Sequence, residues 1–410
     1  LVDRATGNTL QKLPINTTVL GCVGNAPGTF RGAPGAQHTN WRDHPSRLVC
    51  GSCHDHVNFD TGEGHSEYNF PVDNDDVCTF CHTPNMLAEF DISVPGTHMP
   101  VFKSAQFPGV LFEFKDVTNT APGQKPTVTF SLGSKYGMLD PATLDRLRLT
   151  ITGPNEDFSY YNQETVGSSA VWSGGYWAYT FDEALPLNAK GSYTVSVEGR
   201  ANVDINLGEE ISSERDVIEA TLMEFAVTDS VATPRRVAVT DYNCESCHDH
   251  LALHGGGRTN ANYCNTCHMP EATDEEESVD AGLPLQSISL KYMIHQIHRG
   301  AELEYGYVVA GHNASTHDFG HVEYPGDLRN CRKCHVNDSQ LLPLPENLLA
   351  TIAPQAFWSP IEPIAAACLS CHDGDDAASH AFSMTTFVGE ACAACHGKGM
   401  SFDVEKVHAR

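Results

Sequence analysis

Seven copies of Cys-x-x-Cys-His near the two ends of the chain, with a motif-free, strand-patterned block between them, predict the fold class. It consists of helical or irregular segments packed on attached prosthetic groups, flanking an antiparallel β sandwich or Greek-key barrel domain.

The motifs are Cys50/Cys53/His54, Cys78/Cys81/His82, Cys244/Cys247/His248, Cys264/Cys267/His268, Cys331/Cys334/His335, Cys368/Cys371/His372 and Cys392/Cys395/His396. Two thiols in this spacing add across the vinyl groups of a haem, and the following histidine supplies an axial imidazole to the iron. Zinc ribbons, thioredoxin-like pairs and disulfide frameworks also use Cys-x-x-Cys, but none requires the histidine that follows all seven pairs here. Composition alone predicts about 0.03 such motifs in a chain of this length. The expectation is a multihaem cytochrome c with seven covalent haems.

The motifs use fourteen of the fifteen cysteines and leave Cys22. Val-Leu-Gly-Cys22 looks like a lipoprotein cleavage box but follows polar residues, so a leftover thiol, an intermolecular link and lipidation stay open for it. Haem attachment takes place outside the cytoplasm, so export is expected. Residues 1–20 lack the apolar core of a signal peptide, which suggests a mature form. No apolar run of 18 residues occurs. A net charge of −27, from 52 acidic and 25 basic residues, argues against nucleic acid as a partner. The acidic runs Asp73–Asp76 and Asp274–Glu277 offer carboxylates for calcium without the spacing of an EF-hand, so solvated loops are the simpler reading.

Four regions follow in order. Residues 1–40 are rich in Gly, Pro, Thr and Asn and read as an extended arm. Residues 41–100 hold a dihaem segment. Residues 101–232 contain alternating stretches at Val110–Phe114, Thr127–Leu132, Arg146–Thr152, Tyr176–Phe181, Tyr193–Glu198 and Thr221–Val227, several of them separated by turn-rich spacers. Residues 233–410 form a pentahaem domain, in which Ile288–Arg299 has the apolar spacing of an amphipathic helix, with Ile288, Met293, Ile294 and Ile297 on its apolar side. On that helix His295 and His298 project from the same side, where they can ligate two neighbouring irons.

Seven of the 21 histidines are proximal ligands. Local repetition selects sixth ligands from the other fourteen. His65 and His380 occupy similar places after their motifs, as do His98 and His408, so the pairs 50/78 and 368/392 read as two copies of one dihaem unit. His254, in His-Gly-Gly-Gly-Arg, together with His295 and His298, completes seven distal ligands. His38, His44, His56, His250, His312, His317 and His321 are then surface or supporting imidazoles, with the cluster 312/317/321 the main competitor. Six-coordinate bis-His haems pass electrons without binding substrate.

The stretches CESCHDHLALHGGGRTNANYCNTCHMP, MIHQIHRG and YPGDLRNCRKCH resemble the C-terminal pentahaem domain of outer-membrane decahaem cytochromes of the OmcA/MtrC type. CGSCHDHVNFDTGEGH with CTFCHTP resembles the end of that family's first pentahaem domain. The resemblance covers about residues 41–410 and makes this a shortened seven-haem member, lacking the family's N-terminal β domain and three haems. It implies a lateral β domain, the same seven distal histidines and a location at the extracellular or outer-membrane surface. It also implies electron delivery from a porin–cytochrome conduit to mineral oxides, flavins or partner cytochromes.

Two other functions compete with a discrete surface carrier. A subunit of a polymeric extracellular filament would stack dihaem and pentahaem ends head to tail through heterologous contacts. A multihaem reductase would need an open iron position, and no substrate-binding haem is evident from seven complete motifs, so an electron carrier rather than an enzyme is expected.

Overall fold

The computed structural model describes residues 39–409. Cys22, His38 and the first 38 residues of the expected arm lie outside the described residues. The chain divides into two compact units, one holding the residues up to Pro108 together with Asn202–Asp216, the other Gly109–Ala201 and the residues from Val217 onward.

Most of the β structure lies in the second unit. Ten strands make up the β domain: β1 (Leu111–Thr118), β2 (Thr127–Ser134), β3 (Gly137–Met138), β4 (Arg146–Gly153), β5 (Tyr160–Thr165), β6 (Val171–Ser173), β7 (Tyr176–Thr180), β8 (Ser192–Asn206), β9 (Ile211–Val217) and β10 (Leu222–Ala226). They form two five-stranded antiparallel sheets, β1-β2-β7-β6 with β3 on β2, and β10-β8-β4-β5 with β9 on β8. The residues of β8 and β9 from Asn202 to Asp216 belong to the first unit. One apolar cluster joins Val128, Phe130 and Leu132 of the first sheet to Leu147, Leu149, Ile151, Val195 and Val197 of the second. A period-two pattern with both inner faces buried against each other is a sandwich.

All six expected strands are present. Those the sequence pattern did not mark are short or polar: β3 and β6 are two- and three-residue edge pieces, β5 (YYNQET) is mostly polar, and β9 reads ISSERDV.

The motif-bearing segments are built differently. In residues 39–108 the large apolar side chains that are buried are Val72 and Val94, while Leu48, Tyr68, Phe80 and Leu87 are each at least 80% exposed. Burying apolar area at about 25 cal/mol per Å² is the main drive to fold, and this segment finds little of it in its own chain. The expected helix over Ile288–Arg299 forms at Leu290–Arg299. Its fully buried residues are Tyr292 and Gln296, not the apolar set read from the spacing; Met293, Ile294 and Ile297 are half-buried. Tyr292 joins a small core with Ala353, Ile361, Ala365, Ala366 and Leu369, so the helix packs through an aromatic residue that the apolar period did not include.

The sandwich is joined to the residues around the fourth motif by a buried charge. Glu198 of β8 is 1% exposed and accepts hydrogen bonds from Arg258 Nε (2.6 Å) and Tyr263 Oη (3.0 Å), with Arg148 Nη1 at 3.4 Å. Burial alone raises its pKa, but the bond and charge of Arg258, the Tyr263 hydroxyl and Arg148 bring it below the ordinary carboxylate value. A buried charge that loses its partner typically costs about 3–5 kcal/mol.

Glu198→Ala is therefore expected to lower stability by about 3 kcal/mol in chemical unfolding. Because the folded pKa is depressed, the stability that ionised Glu198 contributes is present above the unfolded value, about 4.3, and is lost as pH falls through the folded value. Glu198→Gln should flatten that acid limb, and an unchanged acid limb would contradict the assignment.

Candidate haem sites

Each motif folds into the same turn. In all seven the histidine amide donates to the carbonyl of the first cysteine at 2.9–3.0 Å, and the amides of the second cysteines, Cys53, Cys81, Cys247, Cys267, Cys334, Cys371 and Cys395, donate to that same carbonyl at 3.1–3.3 Å. A helical turn places residues i and i+3 on one face, so both thiols of each motif point the same way with the imidazole one residue beyond. None of the fourteen cysteines forms a disulfide.

The thiols of the motifs differ in exposure. The first thiols Cys50, Cys78, Cys244, Cys264, Cys331 and Cys392 are half-buried, with Cys368 exposed. Of the second thiols, Cys53, Cys81, Cys247, Cys334 and Cys395 are exposed, and Cys267 and Cys371 are half-buried. The contacts of three of them are weak: Ser52 Oγ lies 4.0 Å from Cys53 Sγ, Ser246 Oγ 4.0 Å from Cys247 Sγ and Thr266 Oγ1 3.7 Å from Cys267 Sγ.

Every motif histidine faces one of the seven expected distal histidines. The ring centroids are 6.2 Å apart for His54–His98, 6.3 Å for His82–His65, 6.1 Å for His248–His298, 5.9 Å for His268–His254, 6.0 Å for His335–His295, 6.1 Å for His372–His408 and 6.2 Å for His396–His380. An imidazole nitrogen sits about 2 Å from a metal it binds. Two imidazoles on opposite sides of one ion therefore have centroids roughly 6 Å apart.

The orientation of the rings fits as well. Nδ1 of seven of them lies 2.7–3.0 Å from a backbone carbonyl: His65 to Phe70, His82 to Ile92, His98 to Val94, His268 to Ile288, His298 to Ile294, His396 to Phe402 and His408 to Val404. A proton committed to Nδ1 leaves Nε2 as the free lone pair, the tautomer a metal requires. Burial pushes the His268 and His295 imidazoles down to about 4, so both rings are neutral near pH 7. An open cavity of ≈ 500 Å³ bounded by Arg299, Cys371 and His372 lies beside the sixth motif. Opposed neutral imidazoles with two cofacial thiols next to one of them suit covalent haem c.

Local sequence places the distal rings. His98 and His408 each follow a capped turn, Ser93-Val94-Pro-Gly-Thr-His98 and Asp403-Val404-Glu-Lys-Val-His408, in which the cap side chain accepts an amide hydrogen bond. Both Nδ1 groups bond the valine carbonyl four residues back. In each dihaem unit the partners cross: the first motif meets the later distal histidine and the second motif the earlier one. His254 is held at φ 53 by a tight loop whose Gly255 and Gly256 have φ 72 and 76, and the bridge between Leu253 and Arg258 closes it. Side chains disfavour this region and glycine tolerates it, so the glycines bend the chain and His254 carries the strain.

The remaining described histidines behave differently. His56 also lies 6.2 Å from His54, but the equivalent position in the second unit is Gly374, where His408 faces His372. His250 and His312 lie 3.6 Å from the carboxylates of Glu245 and Glu277. His317 contacts Ser315 on a hairpin. Among the described residues no group of three or more His, Cys, Asp or Glu side chains converges to hold a metal ion. Within the acidic runs, Asp75 pairs with Arg47 and Asp274 accepts the Gln286 and Ala310 amides.

In the second unit the sites are linked in series. Asp241 beside the third motif accepts the Ala261 amide of the fourth. Asn243 donates to Cys334 O of the fifth motif at 3.0 Å. His295, which faces the fifth motif's histidine, contacts Ser370 of the sixth, and Glu390 beside the seventh motif caps the helix Pro363–Leu369 that enters the sixth. The order is fourth, third, fifth, sixth, seventh. Chain order would have put the fourth motif between the third and fifth, and only the tertiary contacts show otherwise. In the first unit Arg47 and Asp75 tie the first two motifs together.

The fold and the repeated thiol–imidazole sites define a multihaem c-type cytochrome. Residues 236–409 match the family of outer membrane cytochrome MtrC/MtrF-like proteins, domains II/IV. The chain is 26% identical over 306 residues to the multihaem cytochrome MtrC of Shewanella baltica strain OS185, covering 70% of this chain and 39% of that relative. The crystal structure of MtrC from Shewanella baltica OS185 shares its fold, with a TM-score of 0.57 at 17% identity over 90% of this chain and 63% of that one. These are likenesses to outer-membrane multihaem cytochromes of the MtrC type, and the chain spans well under two thirds of the curated relative's length.

His254→Ala is expected to leave its haem covalently attached while converting one low-spin iron to high-spin, read by magnetic circular dichroism. An entirely low-spin spectrum would contradict the His254–His268 pairing. His98→Ala should do the same, whereas His56→Ala should not.

Proposed function

We propose that the protein carries seven c-type haems, each held by the thiols of one motif and by one proximal and one distal histidine, and that it transfers electrons at the cell surface. When bound, haem supplies a reversible one-electron iron couple. The chain's residues clamp each iron position from both sides, hold at least one ring of each pair by its Nδ1 and leave no axial position for a substrate, which favours a carrier over a reductase. In this reading the exposed Cys53, Cys81, Cys247, Cys334 and Cys395 and the half-buried Cys267 and Cys371 supply the second thioether of their sites. The observation that carries the reading is the agreement of all seven histidine separations with a shared ion.

The serial links in the second unit support stepwise transfer across it. The electron source would be another multihaem cytochrome or a porin–cytochrome conduit, and the acceptors mineral oxides, flavins or partner cytochromes, at the extracellular or outer-membrane surface. No helix among the described residues is long and apolar enough to cross a membrane.

Intact mass with a pyridine haemochrome assay should give seven haems per chain; five or fewer, or bound zinc, would overturn the count. Ring planes are close to perpendicular for His54–His98 (78°), His248–His298 (82°) and His380–His396 (75°), and closer to parallel for His254–His268 (30°), His295–His335 (30°) and His65–His82 (38°). Electron paramagnetic resonance of the ferric protein should accordingly show two families of low-spin signals. Negative-stain images should show discrete particles, and filaments would favour the polymeric alternative.

A further inference from the structure

Two ring nitrogens meet a serine hydroxyl instead of a backbone carbonyl, and both belong to one site. His335 Nδ1 lies 2.9 Å from Ser339 Oγ, and His295 Nδ1 lies 2.9 Å from Ser370 Oγ. Seven other rings of the sites give Nδ1 to a backbone carbonyl; the one that also has a hydroxyl in reach, His98, is 3.3 Å from Thr97 Oγ1 but 2.7 Å from Val94 O. His335 and His295 face one another across the fifth motif, the middle member of the five linked sites.

The serine protons are already committed. Ser339 Oγ donates to Ala238 O at 2.8 Å and Ser370 Oγ to Ala367 O at 2.7 Å. A hydroxyl has one proton to give, so each serine oxygen must accept from the imidazole. Each is thereby fixed, by a bond to a carbonyl elsewhere in the chain, as an acceptor for one axial ring.

An amide carbonyl carries more negative charge on oxygen than an alcohol does. Hydrogen bonding to the far nitrogen raises the basicity of a metal-bound imidazole, and a more basic ligand stabilises the ferric state and lowers the potential. Replacing both carbonyl acceptors by hydroxyls acts in the opposite direction, on both axial ligands of the same iron.

We propose that Ser339 and Ser370 are the potential-setting positioning residues of the His335–His295 site, holding the central haem of the C-terminal five at a more positive potential than carbonyl acceptors would. The inference rests on the bis-His reading of this site.

The test is spectroelectrochemical titration of the full haem-loaded chain, with haem count and spin state measured on each variant. Ser339→Ala and Ser370→Ala should each shift a single one-electron step positive, the double variant should shift that same step further, and Ser339→Thr and Ser370→Thr should restore the original curve. Ser339→Asp, which supplies a carboxylate acceptor, should shift that step negative. If an alanine variant loses its haem, the threonine and aspartate variants, which retain an acceptor, decide. Curves superimposable on the unaltered protein, with all haems present and low-spin, would overturn the proposal while leaving the bis-His reading intact. A high-spin or five-coordinate iron in the unaltered protein at this site would instead overturn that reading.

Discussion

The opposition of two imidazoles about 6 Å apart is the constraint on which the rest of the structure depends. It joins residues far apart in sequence: His295 to His335, His248 to His298, His54 to His98. Each pair needs two backbone segments held at a fixed separation with both rings turned inward. Much of the irregular structure serves that end, including capped single turns, a glycine loop that drives His254 to positive φ, and carbonyls aimed at Nδ1. A ring free to rotate would present the wrong nitrogen or none, and the fixed bonds remove that freedom.

This explains the contrast between the two kinds of architecture. The sandwich buries Phe130, Leu149 and Val197 in a conventional core and draws its stability from apolar area. Residues 39–108 bury few large apolar side chains, with Arg47–Asp75 as a local tie. Where the sandwich meets the fourth motif, Glu198 replaces apolar contact with a buried, fully partnered charge, which fixes Arg258 and Tyr263 on either side of the loop and turn that carry His254 and His268.

The serial hydrogen bonds among the third to seventh motifs have a mechanical role as well. A ligand of one site is tied to the turn of the next, as His295 is to Ser370, so a shift at one site is felt by its neighbour. Arg332, within the fifth motif, contacts Glu405 on the short helix that ends in His408, and so extends the same coupling to the chain terminus.

The sequence by itself determined the candidate sites, because Cys-x-x-Cys-His is a local pattern and is complete seven times over. It determined six of the ten strands, since alternation is a property of neighbours along the chain, and the helix bearing His295 and His298, since their three-residue spacing is local. It also marked the repeat that relates His65 and His98 to His380 and His408. What it left open depends on distance in space. Which distal histidine meets which motif, the crossed pairing within each dihaem unit and the placing of the fourth site at the end of its series follow from long-range packing. So does the uneven enclosure of the thiols, with Cys53, Cys81, Cys247 and Cys395 at the surface of turns whose sequence pattern is the same as that around half-buried Cys267. The short polar strands lacked an apolar signal, and Glu198 reads in sequence as one more acidic residue on a strand. Its role, like those of Ser339 and Ser370, exists only where the fold brings Arg258, Tyr263 or an imidazole to within a hydrogen bond.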